Sequence, residues 1–378
     1  MKQGWEIKIF EDCIVKVRST TKIPKKKFLN DGAYPIISQE DEFINGYWDN
    51  EDDIFTVEKP LVIFGDHTKK VKYVDFNFVM GADGIKVLQP IDDINARFFF
   101  YQIQSLTIED LGYARHFRLL KKQYLFIPLL EEQKRIVAKL DKCFEAIDKA
   151  RTNVQKNLNN AKELFQSQLN QIFSQKGDGW VEEKMVDVCS VLTCGVASTP
   201  KYVDKENGIP FLSAQNVRNG KVVLEKYKYI SKEFHQHLTK KNKPQKGDIL
   251  YSRVGAKFGE AGVVEHNFEF SVYVSLTLIR PIATKLNNYF FKYYLNSPLI
   301  KKLAKGSIQS SGVPNLNVKV VREFPAVYPS LSIQKEIVNK IKLIESQTQY
   351  LESNYQQELD ALDELKKSIL QKAFNGEL

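Results

Sequence analysis

Long apolar runs and paired cysteines are what this chain of 378 residues lacks most clearly. No hydrophobic stretch is long enough to span a bilayer, and the polar start MKQGWEIKIFEDC does not resemble a signal peptide. The four cysteines show no spacing typical of a disulfide framework: Cys13, Cys143, Cys189 and Cys194. We therefore expect no membrane association, reduced thiols and a cytoplasmic location.

Catalytic and cofactor-binding motifs are also missing. The sequence contains neither the Asn/Asp-Pro-Pro-aromatic motif nor the glycine-rich cofactor loop that an independent adenine methyltransferase requires. The segment GAKFGEAG (255–262) lacks the Lys-Ser/Thr pair that completes a phosphate-binding loop. His235 and His237 lie two residues apart beside basic residues, which favours solvated polar positions over a zinc site. We therefore expect no catalytic residue, no metal site and no cofactor in this chain.

The composition indicates a folded, basic protein. Hydrophobic residues make up 43% of the chain and aromatic residues 12%, which argues against disorder. The length allows two or more domains with their own cores. A formal net charge of +9 favours a polyanionic partner.

An internal repeat determines the predicted domain organisation. IPLLEEQKRIVAKL (127–140) matches YPSLSIQKEIVNKI (328–341) at an offset of 201 residues, and this offset continues to the last helical segments. GWEIKIFEDC (4–13) matches GWVEEKMVDVC (179–189) at an offset of 175. The difference of 26 residues between the two offsets lies inside the second globular segment, whereas the connecting segments keep a fixed length.

Each copy of the connecting segment predicts one long helix. Apolar residues recur in steps of three, four or seven, with charged and amide residues on the other faces, as in a coiled coil. Roughly 40 residues at about 1.5 Å each would span on the order of 60 Å. The predicted coiled-coil core consists of Leu140, Phe144, Ile147, Val154, Leu158, Ala161, Ile341, Ile344, Leu351, Tyr355, Leu359 and Leu362. Two ordinary amphipathic helices in separate bundles are the alternative.

The predicted order is a globular segment at 1–126, a helix at 127–176, a second globular segment at 177–327 and a second helix at 328–378. Because the ends of a compact domain lie close together, the second helix should return antiparallel to the first. The result would be a rod with one globular domain at each end. Short apolar runs between Gly, Pro, Asn and Asp predict globular domains rich in β-strands. The predicted fold class is α+β, with two β-rich mixed α/β domains in tandem, an antiparallel coiled coil and an internal pseudo-two-fold repeat.

These segments resemble the DNA-specificity subunits of type I restriction–modification systems over essentially the whole chain. IPLLEEQKRIVAKLD and YPSLSIQKEIV resemble the family's Pro-x-Leu-x-x-Gln-x-x-Ile-Val entry to its spacer helices. GIPFLSAQNVRNGKV and GDILYSRVGAKFGEAGVV resemble its recognition-domain strands and loop. The first domain departs from this pattern, because STTKIPKKKFLNDGAYPIISQ lacks the Ser-Thr-Pro turn of ASTPKYVDKENGIPFLSAQ. The two domains are therefore expected to recognise different sequences.

The resemblance implies a non-catalytic subunit whose two target-recognition domains each recognise half of a bipartite site in double-stranded DNA. The coiled coil would set the gap and bind modification (methyltransferase) subunits, two of them given the repeat. S-adenosylmethionine and ATP with Mg would bind to those partners and to motor-nuclease (restriction) subunits. The alternatives are a stand-alone nuclease or methyltransferase, and a coiled-coil adaptor that binds only proteins.

DNA binding requires cations for phosphates and forked or amide side chains for base edges. Such residues occur in loops at matching places of both domains, although each one alone is also typical of a solvated surface charge. The candidates in the first domain are Lys25, Lys26, Lys27, His67, Thr68, Lys69, Lys70, Arg115 and Arg118. Those in the second are Gln215, Asn216, Arg218, Lys240, Lys241, Lys243, Ser252, Arg253 and Lys257. Arg253 and the Lys69-Lys70 pair are the foremost candidates.

Overall fold

The computed structural model describes residues 4–112, 114–175, 177–196, 200–255, 258–308 and 314–378. The chain divides into two compact units. Unit 1 comprises Met1–Gln155 and Gln356–Leu378, and unit 2 comprises Lys156–Tyr355. Both long helices cross this boundary, so each unit contains one part of each helix.

Unit 1 contains a globular part built from short strands and two helices. In chain order its elements are β1 (Glu6–Ile9), β2 (Ile14–Val15), β3 (Lys22–Ile23), β4 (Tyr34–Ile37), β5 (Gly46–Trp48), β6 (Ile54–Phe55), β7 (Leu61–Gly65), β8 (Val71–Val74), β9 (Phe78–Gly81), β10 (Ile85–Pro90), α1 (Ala96–Ser105), α2 (Phe117–Leu120) and β11 (Tyr124–Ile127). The strands form sheets in the orders β2-β10-β7-β8, β3-β9-β4-β5 with β6 on β9, and β1-β11. The first long helix, α3 (Leu130–Ser174), follows.

The globular part of unit 2 repeats this plan with additional elements. In chain order they are β12 (Val181–Lys184), β13 (Cys189–Cys194), β14 (Gly208–Leu212), β15 (Val217–Arg218), β16 (Lys221–Val222), β17 (Lys228–Ser231), α4 (Lys232–Thr239), β18 (Ile249–Ser252), β19 (Ala261–Val263), β20 (Ser271–Val272), β21 (Leu276–Pro281), α5 (Asn288–Leu295), α6 (Pro298–Gly306), α7 (Val318–Arg322) and β22 (Pro325–Tyr328). The sheets have the orders β13-β21-β18-β19-β16-β15, β17-β14-β20 and β12-β22. The second long helix, α8 (Leu331–Phe374), follows.

The repeat seen in the sequence is reproduced in strand register. Strand β1 pairs antiparallel with β11 so that Glu6 lies opposite Ile127, and β12 pairs with β22 so that Val181 lies opposite Tyr328. These pairs are related by the offsets of 175 and 201 found in the sequence. In each unit this small sheet therefore joins the start of the globular part to the strand that leads into the long helix.

A buried glutamine near the start of each long helix makes the same contacts in both units. Gln133 and Gln334 are both 0% exposed. The side-chain nitrogen of Gln133 donates to the backbone oxygens of Asp93 and Pro128, each at 2.9 Å. The side-chain nitrogen of Gln334 donates to the oxygens of Lys285 and Pro329, each at 2.8 Å. These bonds fasten each long helix to the connection that precedes α1 or α5.

Helices α1 and α5 begin at asparagine caps and carry the aromatic residues that hold the long helices. Asn95 and Asn287 each accept hydrogen bonds from two backbone nitrogens in the first turn of the helix that follows. In unit 1 the ring of Phe98 packs against that of Phe374, with centroids 5.3 Å apart. In unit 2 the ring of Phe173 packs against that of Phe290 at 5.5 Å. Burial of each such side chain contributes about 1.5–3 kcal/mol to stability.

The two long helices run antiparallel within each unit. In unit 1, Asp148 pairs with Lys366 at 3.3 Å, and Arg151 pairs with Asp363. In unit 2, Phe173 near the end of α3 shares one core with Val338 near the start of α8. The antiparallel arrangement and the fold class predicted from the sequence are therefore confirmed.

The side chains predicted to form the coiled-coil core are buried to different degrees. Seven of them are buried: Leu140, Phe144, Ile147, Leu158, Ala161, Ile341 and Leu359. Val154, Ile344, Tyr355 and Leu362 are half-buried. Leu351 is 36% exposed and is not a core residue. Thr348 is 3% exposed and takes the core position instead, since its hydroxyl donates within the helix to the oxygen of Ile344 at 2.9 Å.

None of the helices within the described ranges combines the length and apolar character that a bilayer crossing requires.

Candidate nucleic-acid interface

The lysine turn of unit 1 is exposed. Residues Lys25–Lys27 form one 3-10 turn that follows Pro24, whose fixed backbone angle starts it, and the nitrogen of Lys27 donates to the oxygen of Pro24 at 2.8 Å. Lys25 lies 3.4 Å from the carboxylate of Glu40. The turn therefore contacts the loop that follows β4.

The hairpin between β7 and β8 presents the next group of candidate residues. Lys69 has a left-handed backbone, with φ of 58°, which lets its nitrogen donate to the oxygen of Gly65 at 2.8 Å. The hydroxyl of Thr68 donates to the backbone oxygen of Gln39 at 2.6 Å, and the backbone nitrogen of His67 donates to the side-chain oxygen of Gln39 at 3.0 Å. The hairpin is thus joined to the same loop after β4.

A third segment, residues 110–112 and 114–118, is attached to this hairpin by a buried histidine. His116 is 0% exposed, and its Nε2 accepts a hydrogen bond from the nitrogen of Leu111 at 3.2 Å. The proton of the neutral ring therefore lies on Nδ1, which is 3.0 Å from the oxygen of Asp66. Arg115 and Arg118, on either side of His116 in sequence, are exposed.

Carboxylates neutralise part of this charge. Lys70 pairs with Asp41 at 2.5 Å, and Lys69 pairs with Asp110 at 3.0 Å. The hydrogen bonds from these lysines lower the pKa of both carboxyl groups. Because exposed ion pairs are worth little, a phosphate could replace the carboxylates at small cost.

The loop after β4 is held by a buried lysine that sequence reasoning missed. Lys72 is 6% exposed, and its Nζ donates to the oxygen of Glu42 at 2.5 Å and to the side-chain oxygen of Asn45 at 3.2 Å. Burial lowers the pKa of Lys72 to about 8. The same Asn45 oxygen accepts from the nitrogen of Ser38 at 2.8 Å. The hydrogen bonds of Lys72 and Asn45 therefore fix the loop at 38–45.

Unit 1 thus gathers the lysine turn, the hairpin, residues 38–45 and the third segment into one cluster, which we call the unit 1 loop cluster. It contains all the residues predicted for unit 1: Lys25, Lys26, Lys27, His67, Thr68, Lys69, Lys70, Arg115 and Arg118. Sequence reasoning missed Gln39, at which two of these loops meet, because an uncharged residue at a strand end has no distinctive pattern.

Unit 2 exposes fewer of its predicted residues. Gln215 and Arg218 are exposed, and Arg218 stands beside an Asn219-Gly220 hairpin turn with φ values of 52° and 72°. Asn216 is 2% exposed, and its side-chain nitrogen donates to the oxygens of Val223 and Lys226 at 3.0 and 2.9 Å. Asn216 therefore holds the loop and does not present a free amide to DNA, contrary to the prediction.

Arg253, the foremost candidate in the sequence, is turned into the protein. It is 7% exposed. Its Nε donates to the oxygen of Leu316 at 2.8 Å, and its Nη atoms donate to the oxygen of Val274 at 3.2 Å and to the side-chain oxygen of Asn315 at 3.1 Å. Ser252 is 1% exposed and accepts from the nitrogen of Glu260 at 3.0 Å. Neither side chain is placed to contact DNA, which corrects the prediction.

Asp66 in unit 1 occupies the position equivalent to Arg253. The backbone nitrogen of Asp66 donates to the oxygen of Gly84 at 2.7 Å, and that of Arg253 donates to the oxygen of Ser275 at 3.0 Å. The backbone oxygen of Asp66 accepts from the nitrogen of His116, as that of Arg253 does from Leu316, each at 2.8 Å. Two residues of opposite charge thus make equivalent backbone hydrogen bonds in the two units.

The remaining candidates of unit 2 lie elsewhere. Lys240, Lys241 and Lys243 are exposed on the connection from α4 to β18, where Lys243 pairs with Glu269. Lys257 lies outside the described residues. His235, expected to be solvated, is 4% exposed with its Nδ1 2.9 Å from the hydroxyl of Ser271. Burial lowers the pKa of His235.

Among the residues that the structure describes, no group of three or more His, Cys, Asp or Glu side chains is arranged to hold a metal ion.

Two mixed α/β units, each containing part of two antiparallel helices and each with cationic loops on its globular part, define a tandem two-domain scaffold. The family model described as the type I restriction modification DNA specificity domain matches residues 2–157 and 177–361, and the chain belongs to this family. The family assignment made from the sequence is therefore confirmed.

Individual relatives agree with this assignment. The specificity subunit of the type I restriction enzyme EcoBI of Escherichia coli is 25% identical over an alignment of 321 residues, and the match covers 76% of this chain and 66% of the relative. The EcoKI specificity subunit of Escherichia coli strain K12 is 26% identical over an alignment of 271 residues, and the match covers 67% of this chain and 57% of the relative. The match thus spans less than two thirds of the length of these relatives.

Solved structures share the fold. A chain from a study of complex assembly and conformational transition of the type I R-M system has a TM-score of 0.74 at 18% identity, covering 100% of this chain and 99% of that one. The HsdS subunit from Thermoanaerobacter tengcongensis has a TM-score of 0.53 at 18% identity, covering 100% and 98%.

Proposed function

We propose that this chain is the DNA-specificity subunit of a type I restriction–modification complex and is itself non-catalytic. In this proposal residues 1–126 and 177–327 are target-recognition domains, and residues 127–176 and 328–378 are spacer helices. The observation that carries it is the repeat: equivalent strands keep their register, whereas the loops that would face DNA differ between the units. Two domains with the same strand framework and different loops would recognise two different half-sites.

The same asymmetry supports a bipartite target. The unit 1 loop cluster is held by Asp66 and presents lysines, whereas the equivalent site in unit 2 is held by Arg253, and that unit exposes Gln215 and Arg218. Each unit would recognise one short half-site, and neither unit would contact the bases between the two half-sites. The two long helices would determine the gap, and the constant offset of 201 shows that their segments have the same length in both copies.

The proposed partners supply the chemistry. Two methyltransferase subunits would bind the helices, since the repeat presents each surface twice. S-adenosylmethionine would bind to them, and ATP with Mg would bind to motor-nuclease subunits attached through the complex. Light scattering of the chain with saturating methyltransferase should give two copies per chain, and a one-to-one limit would contradict this stoichiometry.

A domain exchange tests the proposal. Residues 177–327 would be replaced with the matching segment of a related subunit, and methylated adenines would be mapped by long-read sequencing in cells that also carry the methyltransferase. One half-site should change and the other should persist. An exchange that rewrites both half-sites, or neither, would overturn the assignment of one half-site to each domain.

A helix insertion tests the origin of the gap. About one helical turn would be added to both long helices, after Val154 and after Tyr355. The mapped motif should keep both half-sites and show an altered gap. The matched control adds the same residues to the exposed turn after Glu58, which contains no candidate DNA-binding residue, and should change neither.

A further inference from the structure

Gln39 occupies the centre of the unit 1 loop cluster. Its backbone oxygen accepts from the hydroxyl of Thr68 at 2.6 Å, and its side-chain oxygen accepts from the nitrogen of His67 at 3.0 Å. Gly84 makes room for this side chain, because a Cβ there would lie 2.6 Å from the side-chain oxygen of Gln39. The amide of Gln39 is therefore fixed in position and orientation.

The nitrogen of that amide has no hydrogen-bond partner among the residues that the structure describes. Gln39 itself is half-buried. Its side-chain oxygen retains a second lone pair beyond the one that accepts from His67. One donor and one acceptor, side by side and held by the fold, are thus presented by this loop.

The surroundings of Gln39 match those of a nucleic-acid contact. Lys25 lies 3.4 Å from the neighbouring Glu40, and Lys70 pairs with the next residue, Asp41. Lys69 directly follows Thr68, the hydroxyl partner of Gln39, in the sequence. Cations that can bind phosphates therefore flank an amide that can contact a base edge between them.

We propose that Gln39 contacts the major-groove edge of an adenine in the half-site recognised by unit 1. The side-chain nitrogen would donate to N7 of the base, and the side-chain oxygen would accept from its N6 amino group, the pairing that a glutamine amide fits. This inference rests on the proposed function. It adds the residue that determines specificity and the base that it selects.

Unit 2 cannot use the equivalent residue in this way. The offset of 175 places Ala214 at that position, and the backbone nitrogen of Ala214 donates to the hydroxyl of Ser275 at 2.9 Å. Ser275 corresponds in position to Gly84, so a hydroxyl fills the space that the Gln39 side chain occupies in unit 1. The contribution of Gln39 is therefore confined to one half-site.

The test uses two variants in the complete complex with methyltransferase. Gln39→Glu keeps the acceptor for His67 and replaces the free donor with a second acceptor, and Gln39→Ala removes both. Methylated adenines would be mapped, and binding to duplexes with each base at every half-site position would be measured. Gln89→Ala, which changes another glutamine of unit 1 that donates to Pro60 at 3.2 Å, is the matched control.

The preference for adenine should fall by about 5- to 150-fold in both Gln39 variants at one position of the half-site recognised by unit 1. This is the half-site that persists in the domain exchange. In the Gln39→Ala variant the other half-site, the binding of unrelated DNA and its salt dependence should not change, and Gln89→Ala should keep the wild-type motif. An unchanged motif, or an equal loss on all duplexes by the Gln39→Ala variant with a wild-type melting temperature, would overturn the inference. A wild-type chain that directs no sequence-specific methylation would instead overturn the proposed function.

Discussion

The side-chain oxygen of Gln133 accepts a hydrogen bond from the backbone nitrogen of Asn95 at 2.7 Å. The side-chain oxygen of Gln334 accepts from the nitrogen of Asn287 at the same distance. Each asparagine in turn caps the helix that packs on the long helices, α1 or α5. One buried amide in each unit thus connects the start of the long helix to the cap of the helix beneath it.

Replacement of either glutamine should destabilise its unit. Gln133→Ala or Gln334→Ala leaves one partly buried backbone nitrogen and two backbone oxygens without their partner, so we expect a loss of about 1–3 kcal/mol in the free energy of unfolding. Urea denaturation followed by circular dichroism measures it. Gln347→Ala, on the exposed face of α8, is the control and should change stability little. Equal effects of the buried and exposed changes would contradict this role.

The lysine turn should contribute to affinity without sequence preference. Changing Lys25, Lys26 and Lys27 to Ala should weaken binding to cognate and scrambled duplexes alike. The slope of log affinity against log salt should become shallower by up to about 0.9 for each phosphate that the variant no longer binds. The control changes three exposed lysines of α3 to Ala: Lys139, Lys142 and Lys149. It removes the same charge and should leave the slope nearly unchanged. A protein-only adaptor would show no salt-sensitive affinity in any variant.

The acidic partners of the hairpin lysines should oppose DNA binding. Asp41→Asn with Asp110→Asn frees Lys70 and Lys69 from carboxylates that a phosphate must displace. Affinity for any duplex should rise by about two- to fivefold, as expected from exposed ion pairs. Fluorescence anisotropy at low salt measures the change. Asp92→Asn breaks a comparable pair with Lys59 and should have no effect; a similar gain there would indicate net charge alone.

Arg253 should be needed for folding of unit 2. Arg253→Ala leaves the buried acceptors of Val274 and Leu316 unpaired, so we expect a loss of about 1–3 kcal/mol in stability and a lower melting temperature. Arg218→Ala, at an exposed position, should leave the melting temperature unchanged. If Arg253→Ala instead melts like wild type and relaxes one base of the motif, Arg253 contacts DNA after all.

His235 should make unit 2 sensitive to acid. Burial lowers its pKa in the folded state below the usual 6.5, so the unfolded chain binds more protons as pH falls through that value. The stability associated with a neutral His235 is complete above about pH 6.5 and decreases below it. Melting temperatures between about pH 7.5 and 5 should fall less in His235→Gln than in wild type. His237→Gln, which changes an exposed histidine, should keep the wild-type profile.

The structural features that follow from the internal repeat were predicted well from the sequence. The offsets of 175 and 201 reappear as equal registers of β1 with β11 and of β12 with β22, because duplicated segments of fixed length form the same local pairing. The apolar pattern of the long helices predicted a core position wrongly at Leu351, which is exposed. A threonine can bond its hydroxyl within its own helix, so Thr348 enters the core at a position that an apolar pattern does not identify.

The sequence by itself determined that the chain consists of two copies of one plan and where the long helices begin, since periodicity and a constant offset can be read from the order of the residues alone. It also determined that the helices return antiparallel, since the ends of a compact domain lie close together. Only the tertiary structure decided which polar side chains face outward. Arg253 is turned inward because the carbonyls of Val274 and Leu316, distant in sequence, surround it with acceptors. Among the described residues Gln39 keeps a donor without an acceptor, because the hairpin of His67 and Thr68 donates only to its oxygens. The exposure of a polar group depends on partners that folding brings from elsewhere in the chain, and no local pattern contains them.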